Sequence, residues 1–205
     1  PYAKDLIWEN AGDDIRNSTA NIQRTFYYND PTQPNFGEPV PQSVIDENNG
    51  NGWIFPIFWK LSTDEFVGLD QGENRSNIFR DEYAVRLPET ILLRAEAYMR
   101  LNQNGLAADD INLIRNRANA TPVTPGEVDL DYILDERGRE LLQEERRWCT
   151  LLRMGGTVAV DRIREYALND ITRATLNFDF NLWPIPQTVI DRNKDVILEQ
   201  NPGWR

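Results

Sequence analysis

Hydrophobic positions divide the chain into two parts of different character. Before residue 86 the apolar runs are short and broken by Asn, Gly, Pro and aromatics; after it they recur at helical spacing. Pro88 suits a first helical turn. Ile91, Leu92, Ala95, Tyr98 and Met99 then follow at intervals that place them on one helical face. Asn102-Gln103-Asn104-Gly105 predicts the stop, because these residues tolerate the left-handed backbone of a helix end. Ala107, Ile111, Ile114 and Ala118 form the stripe of a second helix, expected over Leu106 to Ala118 and antiparallel to the first.

The crossing of this hairpin sets small residues against large ones. Ala95, Tyr98, Ala107 and Ile111 match the spacing of a tetratricopeptide repeat, in which Ala lets the backbones approach and larger side chains fill the adjacent groove. Repeat units of this kind are stabilised mainly by their neighbours. A Pro-containing loop at Thr121 to Gly126 precedes a third helix, predicted over Asp131 to Arg153. Leu134, Leu141, Trp148 and Leu152 would face inward, opposite a polar side that carries Glu136, Arg137, Arg139, Glu140 and Glu144 through Arg147. A fourth helix is expected at Val158 to Tyr166, a loop at Thr172 to Asn181, and a last short helix at Gln187 to Arg192. Leu182-Trp183-Pro184-Ile185-Pro186 cannot be helical.

The first part offers less. Asn17 to Tyr28 reads as a strand or short helix that leads into a turn at Asn29-Asp30-Pro31. Prolines hold Pro31 to Pro41 extended or turning, and Asn48 to Gly52 reads as a turn. Trp53 to Lys60 is β-prone, but Pro56 keeps it from a central strand. The expected fold is therefore mainly α. Tetratricopeptide-like hairpins pack against a loop-rich irregular layer, in one domain over 1–205 with a loop-rich segment at 1–85 and a helical core with a terminal clasp at 86–205.

Composition narrows the chemistry. With 205 residues the chain buries enough surface to fold without disulfides or a structural metal. A net charge of −11 argues against a nucleic-acid partner. The absence of His removes Ser-His-Asp, Cys-His and HExxH chemistry. Cys149 stands alone, and apolar runs such as Ile54 to Trp59 fall far short of the ~20 residues of a membrane span. Asp109-Asp110 and Asp129 to Asp131 lack calcium-loop spacing. No metal, cofactor or phosphate-loop motif is present. Because the chain opens at Pro1 without Met, it reads as part of something longer.

Two constellations remain. Glu140 and Glu144 lie one helical turn apart, within the separations that glycosidases use. Arg137, Arg146 and Arg147 beside them favour a salt-bridged face, partly packed under the tail, and no catalytic residue is assigned. The aromatics are candidate stacking platforms for sugar rings, with Asn and Gln neighbours for the hydroxyls. Trp53, Trp59, Tyr27 and Tyr28 are the ligand-binding candidates; Phe55, Phe58 and Trp8 are further ones, and core packing competes for each ring. Trp183 and Trp204 read as structural pins beside Pro-rich turns.

Three ordered segments carry a resemblance. The first is Arg86 to Tyr98 (RLPETILLRAEAY), followed by Asp110-Ile111-Asn112 and Ile114-Arg115-Asn116-Arg117-Ala118. The second is Ile133 to Leu141 (ILDERGREL), followed by Glu144, Trp148 and Leu152-Arg153. The third is Leu182 to Gln187 (LWPIPQ), closed by Gln200-Asn201-Pro202-Gly203-Trp204. Over residues 80–205 this order and spacing resembles the C-terminal part of the SusD/RagB family of outer-membrane nutrient-binding lipoproteins. Gly138 stands where the family usually has a charged residue, Arg146 where Gly is common, Cys149 where an aromatic is common, and Trp204 where Tyr or Phe is frequent.

The resemblance implies an α-α superhelix under an irregular layer, in a protein lipid-anchored on the outer face of a Bacteroidota-type outer membrane. Such proteins capture oligosaccharides, or peptides in RagB-like members, and act as lids over a SusC-like TonB-dependent transporter. They bind; they are not enzymes and need no cofactor. A helical-repeat protein–protein adaptor is the alternative outside the family. Family members are about twice this length or more, so the N-terminal half of the parent, which carries the lipid anchor and much of the ligand platform, is expected to lie outside this chain. No binding residue transfers by motif.

Overall fold

The computed structural model describes residues 3, 5–49, 56–61, 81, 83–166, 182–202 and 204. Trp53, Phe55, the Gly50 to Gly52 tip and the expected loop at Thr172 to Asn181 lie outside them. Helices dominate, and they fall in two compact units, Ala3–Glu144 and Glu145–Arg205, the latter grouped with Pro1–Tyr2. Among the described residues no helix is long and apolar enough to cross a membrane.

In the unit Ala3–Glu144, α1 spans Gln42–Asn49, α2 Leu87–Arg100, α3 Asn104–Arg117 and α4 Leu130–Glu140. The α2–α3 hairpin forms as the periodicity predicts. Pro88 lies in the first turn of α2, with Glu89 at its positive end and Arg100 at its negative end. The connection is shorter than the expected four-residue turn. Asn102 alone takes the left-handed backbone, at φ 57°, and the Gln103 amide donates to the Tyr98 carbonyl at 2.9 Å. One such residue closes a helix end, so Asn104 is free to begin α3, and its side-chain amide donates to the Val128 carbonyl.

Leu92, Ala95, Ala107, Ile111 and Ile114 are buried at the crossing, with Tyr98 and Met99 partly covered. Val123, Val128, Ile133 and Leu141 complete this core as α4 packs across the hairpin. The Asp129 side chain caps α4 by accepting from the Tyr132 amide at 2.7 Å. Thr124 and Glu127 form a reciprocal capping box just before it.

The single helix predicted over Asp131 to Arg153 is two helices. α4 ends at Glu140, Gln143 adopts φ 65°, and α5 starts at Arg147. The last carbonyls of a helix lack intrahelical donors. Here the Glu140 carbonyl accepts from Lys60 Nζ and, at 3.0 Å, from Arg86 Nη2. Cations from distant positions thus terminate a helix whose own sequence has neither Pro nor Gly at the break.

The loop-rich part is held by short pieces. β1 (Ile22–Gln23) pairs antiparallel with β2 (Ile57–Phe58), Ile22 opposite Phe58, and Pro56 stands just outside the ladder. Tyr27 bridges Pro39. The helix α1 was not expected from the sequence, and Asn48 and Asn49, read as part of a turn, are its last residues. Among its residues whose side chains are described, only Ile45 is buried, so it leaves no apolar stripe to read.

Two backbone hydrogen bonds fasten the start of this unit to the end of α3 and the loop after it: Ile15 to the Ala118 carbonyl at 2.9 Å and Thr121 to the Ala11 carbonyl at 3.1 Å. Gly12 lies between them at φ 65°, and a Cβ there would stand 2.4 Å from Thr121 Oγ1.

In the unit Glu145–Arg205, α5 is Arg147–Met154, α6 Val158–Tyr166 and α7 Gln187–Arg192, the last two as expected. The Pro-rich tail is a clasp. Gln200 accepts from the Ile185 amide at 2.7 Å and donates to its carbonyl at 2.9 Å; Asn201 donates to the Trp183 carbonyl and Trp204 Nε1 to that of Leu182.

Candidate functional site

α4 places Glu136, Arg139 and Glu140 one turn apart on one face, and that face is not solvated. Glu136 is fully buried, and three arginines share its carboxylate. Arg16 Nη1 donates to Oε1 at 2.9 Å, while Arg115 Nη1 and Arg139 Nε both donate to Oε2 at 2.8 Å. Burial works to raise the Glu136 carboxyl, but the charges of Arg139, Arg16 and Arg115 outweigh it and hold it below the ordinary carboxylate range. Burial likewise opposes the Arg16 cation. Its hydrogen bonds to Asp14 and the charge of Glu136 more than offset that and raise it.

Glu140 extends the network. Arg16 and Arg117 donate to its Oε2 at 3.0 and 2.7 Å, and Arg86 to its Oε1 at 3.1 Å. Glu144 accepts from Arg86 Nε at 2.8 Å and pairs with Lys60 at 3.1 Å. Burial lowers the Lys60 ammonium, with the Glu144 hydrogen bond and charge working against it.

The arginines expected beside these carboxylates were Arg137, Arg146 and Arg147. The actual partners come from Arg16, Lys60, Arg86 and Arg117, while Arg137 stands 3.6 Å from Glu89 and Arg147 pairs with Glu145. Both oxygens of Glu140 are committed to guanidinium groups, an arrangement that braces the fold and gives no acid–base pair. Asp14 and Arg16 carried no signal beyond a short charged run before α1, which reads equally well as a solvated loop. Arg86, Arg115 and Arg117 lay inside the resembling segments.

Beside the network is a cavity of about 240 Å³. Arg16, Lys60, Arg86, Arg117, Arg139 and Glu140 line its polar side, and Trp8, Ile22 and Phe58 contribute apolar wall. Trp8 is buried and spends its indole N–H on the Ala3 carbonyl, so it is wall rather than an exposed platform.

Of the four aromatic candidates, Trp59 comes nearest to the cavity along the chain. It sits between the lining residues Phe58 and Lys60, its amide donates to the carbonyl of Asn21, another lining residue, and it is 42% exposed. Tyr27 is 60% exposed on the bridge to Pro39, and Tyr28 is half-buried beside it. Trp53 lies outside the described residues.

Known proteins give the arrangement a context. The sequence profile of the SusD family matches residues 4–204. The chain is 33% identical over 120 residues to the starch-binding protein SusD of Bacteroides thetaiotaomicron. That alignment covers 58% of this chain and 21% of the relative, so the chain matches about a fifth of that protein's length. No solved structure matches it significantly. SusD-family proteins are binding proteins of the outer-membrane surface, not enzymes. With the family profile matching nearly the whole chain, the chain belongs to the SusD/RagB family.

Proposed function

We propose that this chain is part of a surface glycan-binding subunit. It captures oligosaccharides and passes them to a SusC-like TonB-dependent transporter, in a protein held at the outer membrane by a lipid anchor. The observation that carries the reading is Trp59, an exposed indole whose chain neighbours Phe58 and Lys60 line a cavity with hydrogen-bonding side chains. Indole faces pack on the C–H faces of sugars while neighbouring polar groups fix the hydroxyls. Similarity to a starch-binding protein supports the same ligand class.

Calorimetry of the chain against maltooligosaccharides and a wider glycan panel tests the reading. The expected outcome is saturable binding that Trp59→Ala weakens roughly tenfold or more, as truncation of a central Trp does at binding surfaces. Failure of every glycan to bind would overturn it. Co-purified peptides identified by mass spectrometry, with no glycan bound, would place the chain among peptide-binding members instead.

A further inference from the structure

We infer that the cavity lined by Arg117, Lys60 and Phe58 is a subsite for a carboxylate-bearing sugar, a uronate unit; this rests on the glycan-binding reading and narrows it. Charge is the first ground. Among the described residues six cations (Arg16, Lys60, Arg86, Arg115, Arg117, Arg139) are bound into one network with four carboxylates (Asp14, Glu136, Glu140, Glu144). Two positive charges are left over locally, in a chain whose net charge is −11. Each cation has a carboxylate partner, but the partners are shared, which leaves positive charge at the site for an anionic group to meet.

The second ground is which sign faces outward. The carboxylate side chains of Asp14, Glu136 and Glu140 are 0–2% exposed, whereas those of Arg117, Lys60 and Arg86 are 57%, 30% and 20% exposed. Five cations and one carboxylate, Glu140, line the cavity, and Glu144 is 10% exposed, so the lining is predominantly positive and focuses a positive potential into the opening. Among the described residues Arg117 donates one hydrogen bond, from Nη2 to Glu140, so the rest of its fork is open to a carboxylate.

Size and wall chemistry select the rest of the ligand. At about 240 Å³ the cavity falls below the ~300–1,000 Å³ of sites that enclose drug-sized ligands. It suits one sugar ring, with the remainder of a chain passing outside. Phe58, partly exposed, offers apolar surface to the ring, a feature that inorganic phosphate or sulfate has no means to use.

The test is calorimetry of the chain with D-glucuronate, D-galacturonate, D-glucose and sodium sulfate, repeated at raised salt. A uronate should bind more tightly than glucose and than sulfate, and weaken as salt rises. Arg117→Gln should reduce uronate affinity roughly tenfold. Arg117→Lys should recover only part of it, since the charge returns without the fork. Arg117 also pairs with the buried Glu140, so the unfolding temperature of each variant is measured alongside and affinities are compared well below it. No uronate binding, sulfate binding as tight as uronate binding, or wild-type affinity in Arg117→Gln would each overturn the inference. Neutral oligosaccharides that bind while uronates do not would sink this subsite and leave the glycan reading standing. Uronate binding without any neutral oligosaccharide would support this subsite and confine the glycan reading to acidic glycans.

Discussion

Arg16 Nη1 lies 2.9 Å from Glu136 Oε1, a contact between residues 120 positions apart. It ties the segment before β1 to the middle of α4. Arg115 from α3 and Arg139 from α4 itself converge on the same carboxylate. Three elements are thereby held by one buried anion. The value of such a centre is conditional: assembling it in place of an apolar core gains little, but removing one partner strands the others.

Glu136→Gln should therefore destabilise the unit Ala3–Glu144 by about 3–5 kcal/mol, because three guanidinium groups lose their shared counter-charge. Urea unfolding should show a lower midpoint with an unchanged slope. Asp161→Asn is the matched control. Asp161 stands 3.9 Å from Arg164, with both side chains about half exposed, and its loss should cost under about 1 kcal/mol.

The same carboxylate fixes an acid dependence. The Glu136 carboxyl titrates below its ordinary value of 4.5 in the folded protein. Its contribution is fully present above the unfolded value and is lost as pH falls through the lower folded one. Stability should hold from neutral pH down to about 4.5 as far as this group is concerned, and decline below that. In Glu136→Gln that part of the decline should be missing. Urea midpoints measured across an acid series, for wild type and variant, read it directly.

What was legible in the sequence follows from how local each cause is. The α2–α3 hairpin, α6 and α7 depend on residues a few positions apart, so periodicity and Pro placement located them. Ala95 and Ala107 are both fully buried where the repeat spacing put them. The end of α4 depends on Lys60 and Arg86, whose ammonium and guanidinium groups are brought to the Glu140 carbonyl by the fold. Nothing near Glu140 announces that. The arginine partners were misassigned for the same reason: proximity in sequence favoured Arg137, Arg146 and Arg147, while geometry brings Arg16, Arg86 and Arg117. Of the stacking candidates, alternation along Trp53 to Lys60 does not separate exposed from buried rings, because β2 is two residues long and passes directly into a 3-10 turn at Trp59–Leu61.

Gly12→Ala should destabilise this unit by about 1–2 kcal/mol or more. The left-handed backbone alone costs a non-glycine residue roughly that much, and the added methyl meets Thr121 Oγ1 at 2.4 Å. Thr121→Ala removes the obstructing oxygen and leaves the backbone strain. The double variant should then be more stable than the sum of the two single losses, and denaturant unfolding of all four proteins gives the coupling.

The clasp of the unit Glu145–Arg205 yields the sharpest contrast between two near-isosteric changes. Gln200 acts as a substitute strand: its amide oxygen accepts from the Ile185 and Asn201 amides at 2.7 and 2.9 Å, while its amide nitrogen donates to the Ile185 carbonyl. Pro184 and Pro186 have no amide hydrogen, so no backbone ladder is available to replace it along this segment. Gln200→Ala leaves both groups of Ile185 to water and should cost about 1–3 kcal/mol. Gln200→Glu keeps the acceptor but sets a second oxygen against the Ile185 carbonyl, so it should loosen the clasp despite its matching shape. Hydrogen exchange at Ile185 reads the difference. Its amide should exchange faster in Gln200→Ala, and in Gln200→Glu the loss of protection should shrink as the introduced carboxyl is protonated and becomes a donor again, a reversal that a simple packing defect cannot produce.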